Sequence, residues 1–147
     1  MSKRQQFLER IKAVEREYLV IKQAVQEALS RNPSLLRSVG LEYADFRQIL
    51  ENLEATYIVR LFAVFEAGVR EVWANRYRRR TAPPMEVLLD SLAARRNIPQ
   101  EHLTNAHAIR QYRNALLHQA SDDIVPITIA QARRCLCTFF SFMPDHW

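Results

Sequence analysis

Residues 110–119 read "RQYRNALLHQ", and within them Arg113, Asn114 and His118 stand among alanine, leucine and tyrosine. Their types suit chemistry at a phosphate. Histidine titrates near neutral pH and serves as a general base or acid. Arginine is a permanent cation whose planar fork matches phosphate oxygens. Asparagine can hold an imidazole in place or donate to a phosphate oxygen. The sharp reading is an RNA-cleaving site, because RNA carries its own nucleophile in the 2′-hydroxyl. The bland reading is a solvated stripe, since a histidine in a last helical turn is favoured by the dipole without any function.

Geometry on a helix separates these residues. At about 100° per residue, His107, Gln111, Asn114 and His118 fall on one polar stripe with Arg110 beside it. Ile109, Tyr112 and Leu116 fall on the opposite face and are expected in the core. Arg113 lies about 140° from His118, between Ala106 and Leu116 on the flank of that core. An arginine there needs a partner or a long reach to water. Glu66 is a candidate partner, because Val59, Phe62, Val69 and Trp73 place it inside the apolar arc of its own helix. Arg70, one turn further along, is the other. The position predicts a largely buried Glu66 bonded to Arg113 or, failing that, to Arg70, with Arg113 either a structural ion-pair partner or a phosphate-binding guanidinium that Glu66 fixes in place. One helix therefore does not easily aim Arg113 and His118 at the same phosphate.

The elements that carry these residues read as helices. The 147 residues include only two glycines, too few for the turns of a sheet protein or for a phosphate-cradling loop. Length fits one domain, residues 1–147. Phe7, Ile11, Val14, Tyr18, Ile21, Val25 and Ala28 alternate steps of four and three, an amphipathic helix over 3–30 that Asn32 and Pro33 end. A second long helix is expected over 41–79 after Gly40, a short one over 84–95 interrupted at Asn97, and a fourth opened by Pro99 and running through His118. "QASDDIVPI" reads as a loop. Thr128 with Gln131 three residues on reads as a capping box for a last helix reaching 142. The expected fold is all-α, an up-and-down bundle of about five helices, two long and three shorter.

The net charge is +5, from 18 arginines and 3 lysines against 16 acidic residues. This bias suits a phosphate-rich partner or reflects arginine usage alone. Arg76, Arg78, Arg79 and Arg80 form a basic tip, read either as a solvated helix end or as an RNA-binding patch. Cys135 and Cys137 lie two apart on a helix and point in different directions, so they do not bridge. No spacing resembles a metal-ligand cluster, and no metal or cofactor is expected. Without a signal peptide or a long apolar run, a cytoplasmic chain with no membrane span is expected.

"YRNALLH" resembles the Arg-(four to six residues)-His signature of the HEPN superfamily, including the polar residue that follows the arginine. Arg95 and Arg96 stand at similar distances from His102, but Pro99 intervenes and the Arg-Asn doublet is missing. "RLFAVFEAGVRE" is similar to the long HEPN helix that sets an acidic residue among aromatics, particularly in the ribosome-associated and toxin-like branches. The resemblance spans roughly residues 41–143. It implies a metal-independent endoribonuclease acting as a homodimer on RNA. Arg113, His118 and Asn114 would be catalytic, with Glu66, Arg110, Gln111 and His107 supporting them. It also implies a nucleotidyltransferase-type antitoxin partner as in some relatives. Two other readings stay open. One is a non-catalytic HEPN-type module that binds nucleic acid or a partner protein. The other is an unrelated helical adaptor whose heptad stripe docks another helix.

Overall fold

The structure is a computed structural model and describes residues 1–118 and 124–147. Among these residues it is an all-α bundle with six α-helices and no strand. The helices are α1 (Lys3–Arg31), α2 (Leu35–Ser38), α3 (Phe46–Arg76), α4 (Met85–Arg96), α5 (Gln100–His118) and α6 (Ile129–Ser141). The five expected helices are all present. The sixth, α2, is a single turn, too short for any periodicity to announce it.

Local chemistry sets the ends. Ser2 caps α1: Gln5 N–H donates to its Oγ at 3.1 Å, and its own N–H donates to Gln5 Oε1 at 2.9 Å. The expected box at Thr128 and Gln131 is formed in the same way, at 3.2 and 3.0 Å. α3 starts later than the sequence suggests, at Phe46 instead of 41, because a 3-10 turn at Tyr43–Asp45 precedes it. It also stops earlier, at Arg76. Arg78 takes a positive φ of 49°, which no α-helix accommodates. Asn97 ends α4 in the left-handed region, where asparagine is among the tolerated residues, and Ile98 N–H returns to Ala93 O at 2.9 Å. Of the expected loop over 119–127, residues 119–123 lie outside the described residues, and 124–127 are non-helical.

α1 runs antiparallel to α3, as Lys3–Glu71 at one end and Tyr18–Glu54 further along show. It also runs antiparallel to α6 (Phe7–Phe140, Glu15–Arg133). α5 packs on α3 and α6, and α4 packs on α3 and α5. The first four residues of the α1 stripe, Phe7, Ile11, Val14 and Tyr18, are buried against this frame, while Ile21 and Val25 are half-buried and Ala28 is exposed. The stripe is therefore used inside the molecule, which removes the main support for a docking adaptor.

The core is built on aromatics: Phe62, Phe65, Phe139 and Phe140 are fully buried, and Phe65 meets Phe139 edge-on at 5.8 Å. Gly68 of α3 faces Phe7 of α1 and Phe140 of α6. A Cβ there would lie 2.6 Å from the Phe140 ring and 2.9 Å from Phe7. Ile109, Phe62, Phe65, Val69 and Phe139 occupy the core as expected. Tyr112 and Leu116 do not reach full burial. They pack at its edge, half-buried against it.

Candidate functional site

α5 carries three distinct surfaces, not the two that a wheel suggests. The inner flank holds Arg113. Its guanidinium carbon stands 4.6 Å from the centre of the Phe62 ring, and one terminal nitrogen lies 3.5 Å from Glu66 Oε2. Only 20% of the Arg113 side chain is exposed, and its Nε is buried with no partner among the described residues. Glu66 is held mainly by Arg70, whose Nε and second terminal nitrogen reach Oε1 at 2.9 and 2.8 Å. Arg70 also donates to the Pro83 carbonyl at 3.0 Å. The two partners anticipated for Glu66 thus both contact it, and Arg70 is the closer. Glu66 is not largely buried, however: 26% of its side chain remains exposed.

The second surface faces α4. His107 Nε2 lies 2.7 Å from Asp90 Oδ1, and Arg110 Nε donates to His107 Nδ1 at 3.2 Å. Glu86 stands 3.9 Å from Arg110. His107 and Arg110 are 19% and 13% exposed in their side chains. The expectation that Arg110 joins Asn114 and His118 on one open polar face is therefore corrected. His107 and Arg110 turn into the α4–α5 seam, where carboxylates of α4 hold them.

The third surface is open. Asn114, Gln111 and His118 line a groove of about 660 Å³ together with Ala115, Ile124 and Ile127. His118 is exposed, at the last residue of α5. Arg113 is not part of this groove. Within one chain the structure keeps the arginine and the histidine on different sides of the helix, as the spacing of five residues requires.

The basic tip is not a helix end throughout. Arg76 closes α3, whereas Arg78, Arg79 and Arg80 follow it outside the helix, all exposed. Sequence reasoning missed Asp90 and Glu86 as partners and Phe62 as the platform under Arg113. The register between helices decides those contacts, and no spacing along the chain encodes it. The apolar wall of the groove, Ile124 and Ile127, was visible only as a loop.

Burial, with the charges of Glu54 and Glu51 behind it, raises the hydroxyl of Tyr112, on the groove helix itself, above its ordinary range despite an opposing bond with the Ile127 backbone. Burial also raises both Cys135 and Cys137, which makes them weak nucleophiles. Among the described residues no three His, Cys, Asp or Glu side chains converge as a metal site, and no helix is long and apolar enough to cross a membrane. Comparison with protein-family models, with curated proteins and with solved structures returns no match to this chain.

Proposed function

We propose that the protein is a metal-independent endoribonuclease that acts as a homodimer, with Arg113 of one chain and His118 of the other serving one phosphate. The observation that carries this reading is the placement of His118, exposed at the mouth of an open groove beside Asn114 and Gln111. His118 takes the proton from the 2′-hydroxyl as that oxygen attacks the adjacent phosphorus, and the protonated His118 then returns it to the 5′-oxygen as the phosphorus–oxygen bond breaks, leaving a 2′,3′-cyclic phosphate. Arg113 stabilises the charge that gathers on the phosphorane oxygens. Glu66 and Phe62 hold its guanidinium in one place beforehand, which is the arrangement an electrostatic catalyst needs. Asn114 orients the imidazole or donates to a phosphate oxygen. RNA is the substrate, and the cytoplasm and a nucleotidyltransferase-type antitoxin partner belong to the same reading through the HEPN resemblance.

The commitment of Arg113 to Glu66 and Phe62 favours a second reading, a HEPN-type module that binds nucleic acid or a partner without cleaving. One experiment separates the two. Purified protein is incubated with mixed RNA in EDTA beside His118→Ala. The ribonuclease reading expects fragments ending in 2′,3′-cyclic phosphate from the wild type and a loss of about 10²-fold or more in the variant. Equal cleavage by both, or none by either, leaves the binding module.

A further inference from the structure

The opposite end of the bundle holds cations that the groove at His118 does not use. Beyond α3 the chain turns at Arg78, whose positive φ is uncommon for a non-glycine residue. The Arg79 guanidinium carbon then lies 5.9 Å from the centre of the Trp73 ring. Arg95, from the last turn of α4, lies 5.5 Å from the same ring and 4.9 Å from Tyr77. Two arginines from separate elements converge on one aromatic pair, and Trp73 and Tyr77 themselves are 6.1 Å apart.

Among the described residues, none of Arg76, Arg78, Arg79, Arg80 and Arg95 has a carboxylate within 4.0 Å. Arg4, Arg16, Arg60 and Arg133 are paired with carboxylates, and what sets Arg79 and Arg95 apart from other arginines is that both lie over one aromatic pair. A ring face holds a guanidinium by its quadrupole and leaves the in-plane N–H donors free. The result is a set of held cations with unspent donors. Charge alone would serve a free phosphate or a membrane surface. The aromatic pair at the centre of the charge suits a ligand that offers both phosphates and flat bases. Such bases are available for stacking on rings and guanidinium planes only where a strand is unpaired.

We infer that Trp73, Tyr77, Arg79 and Arg95 form a docking site for single-stranded RNA, at the end of the bundle remote from His118. The inference deepens the ribonuclease reading by naming the form of the substrate, and it is tested by binding alone. A fluorescein-labelled 2′-O-methyl oligonucleotide has no 2′-hydroxyl to attack, so anisotropy reads affinity apart from cleavage.

The wild type should bind the single strand more tightly than the same sequence in a duplex. Arg79→Ala/Arg95→Ala should weaken binding on the order of tenfold. The slope of log K against log salt should fall in magnitude by about 1.4 for two lost phosphate contacts. Arg79→Lys/Arg95→Lys should keep that slope and still lose affinity, because an ammonium does not stack. Arg31→Ala/Arg37→Ala removes the same charge at the other end and should bind as the wild type does. All the substitutions but Arg79 and Arg95 leave the aromatic pair's contacts untouched, and circular dichroism checks that each variant folds.

Equal losses in the two alanine pairs would reduce the effect to net charge and overturn the site. So would undiminished binding by Arg79→Ala/Arg95→Ala, equal affinity for the duplex, or preference for phosphatidylglycerol vesicles over the oligonucleotide. Binding that follows these expectations in a protein that cleaves nothing supports the site and removes the ribonuclease reading alone.

Discussion

Removing the Glu66 carboxylate tests how Arg113 is held. Glu66→Ala deletes the bond to Arg70 at 2.8 Å and the longer one to Arg113 at 3.5 Å. Arg70 keeps the Pro83 carbonyl and part of its exposure to water. Among the described residues Arg113 then keeps only the Phe62 ring, with its Nε already unpartnered. A fully buried pair that loses one member costs about 3–5 kcal/mol, and an exposed one about 0–1. Glu66 is 26% exposed and Arg113 20%, so the cost should fall between these limits, about 2 kcal/mol. For a chain of this size that lowers Tm by roughly 4–8 °C. Differential scanning fluorimetry beside Glu51→Ala is a suitable assay, since among the described residues Glu51 makes only an exposed pair with Arg47 along α3. Glu71 is a poor control, because it bonds both Lys3 and the Trp147 indole. Equal Tm changes for Glu66→Ala and Glu51→Ala would refute the argument that Glu66 holds the guanidinium.

Gly68→Ala should destabilise the fold by about 1–3 kcal/mol, read by urea titration, since its Cβ meets the Phe140 and Phe7 rings; an unchanged midpoint contradicts that packing. Burial, then the bond to Glu54, raises the Tyr18 hydroxyl above its ordinary value. The stability it contributes is complete below the unfolded tyrosine pKa of about 10 and is lost as pH rises through the folded value. Tyr18→Phe should therefore flatten the fall in Tm above pH 10. Cys135 and Cys137 should react slowly with Ellman's reagent at neutral pH in the native protein and quickly in guanidinium, because burial raises both thiols.

The parts of the fold that rest on local chemistry were legible in the chain. The period of Phe7, Ile11, Val14 and Tyr18 marks the buried face of α1, and Thr128 with Gln131 marks the start of α6. Glu66 was recognisable because a carboxylate inside an apolar arc must find a cation, and Arg70 one turn away is the nearest. What depended on register between helices was not legible. Nothing in the spacing of α4 says that Asp90 meets His107, so a stripe that looks uniform on a wheel divides into a seam and a groove. Tyr112 and Leu116 read as core for the same reason: the wheel gives a direction but not how closely the neighbouring helices cover it. Trp73 and Arg95 lie far apart in sequence and meet only through the packing of α4 on α3.

Complementation between two inactive variants tests the shared site most directly. His118→Ala and Arg113→Ala are purified separately, checked for helicity by circular dichroism, and mixed in EDTA with RNA. Arg113→Lys replaces Arg113→Ala if loss of the Glu66 contact prevents folding. Random exchange makes half of the dimers mixed, and each mixed dimer holds one intact Arg113–His118 site of its two, so activity should return to about a quarter of the wild-type level. No recovery, with mixed dimers demonstrated, would contradict a site built from two chains.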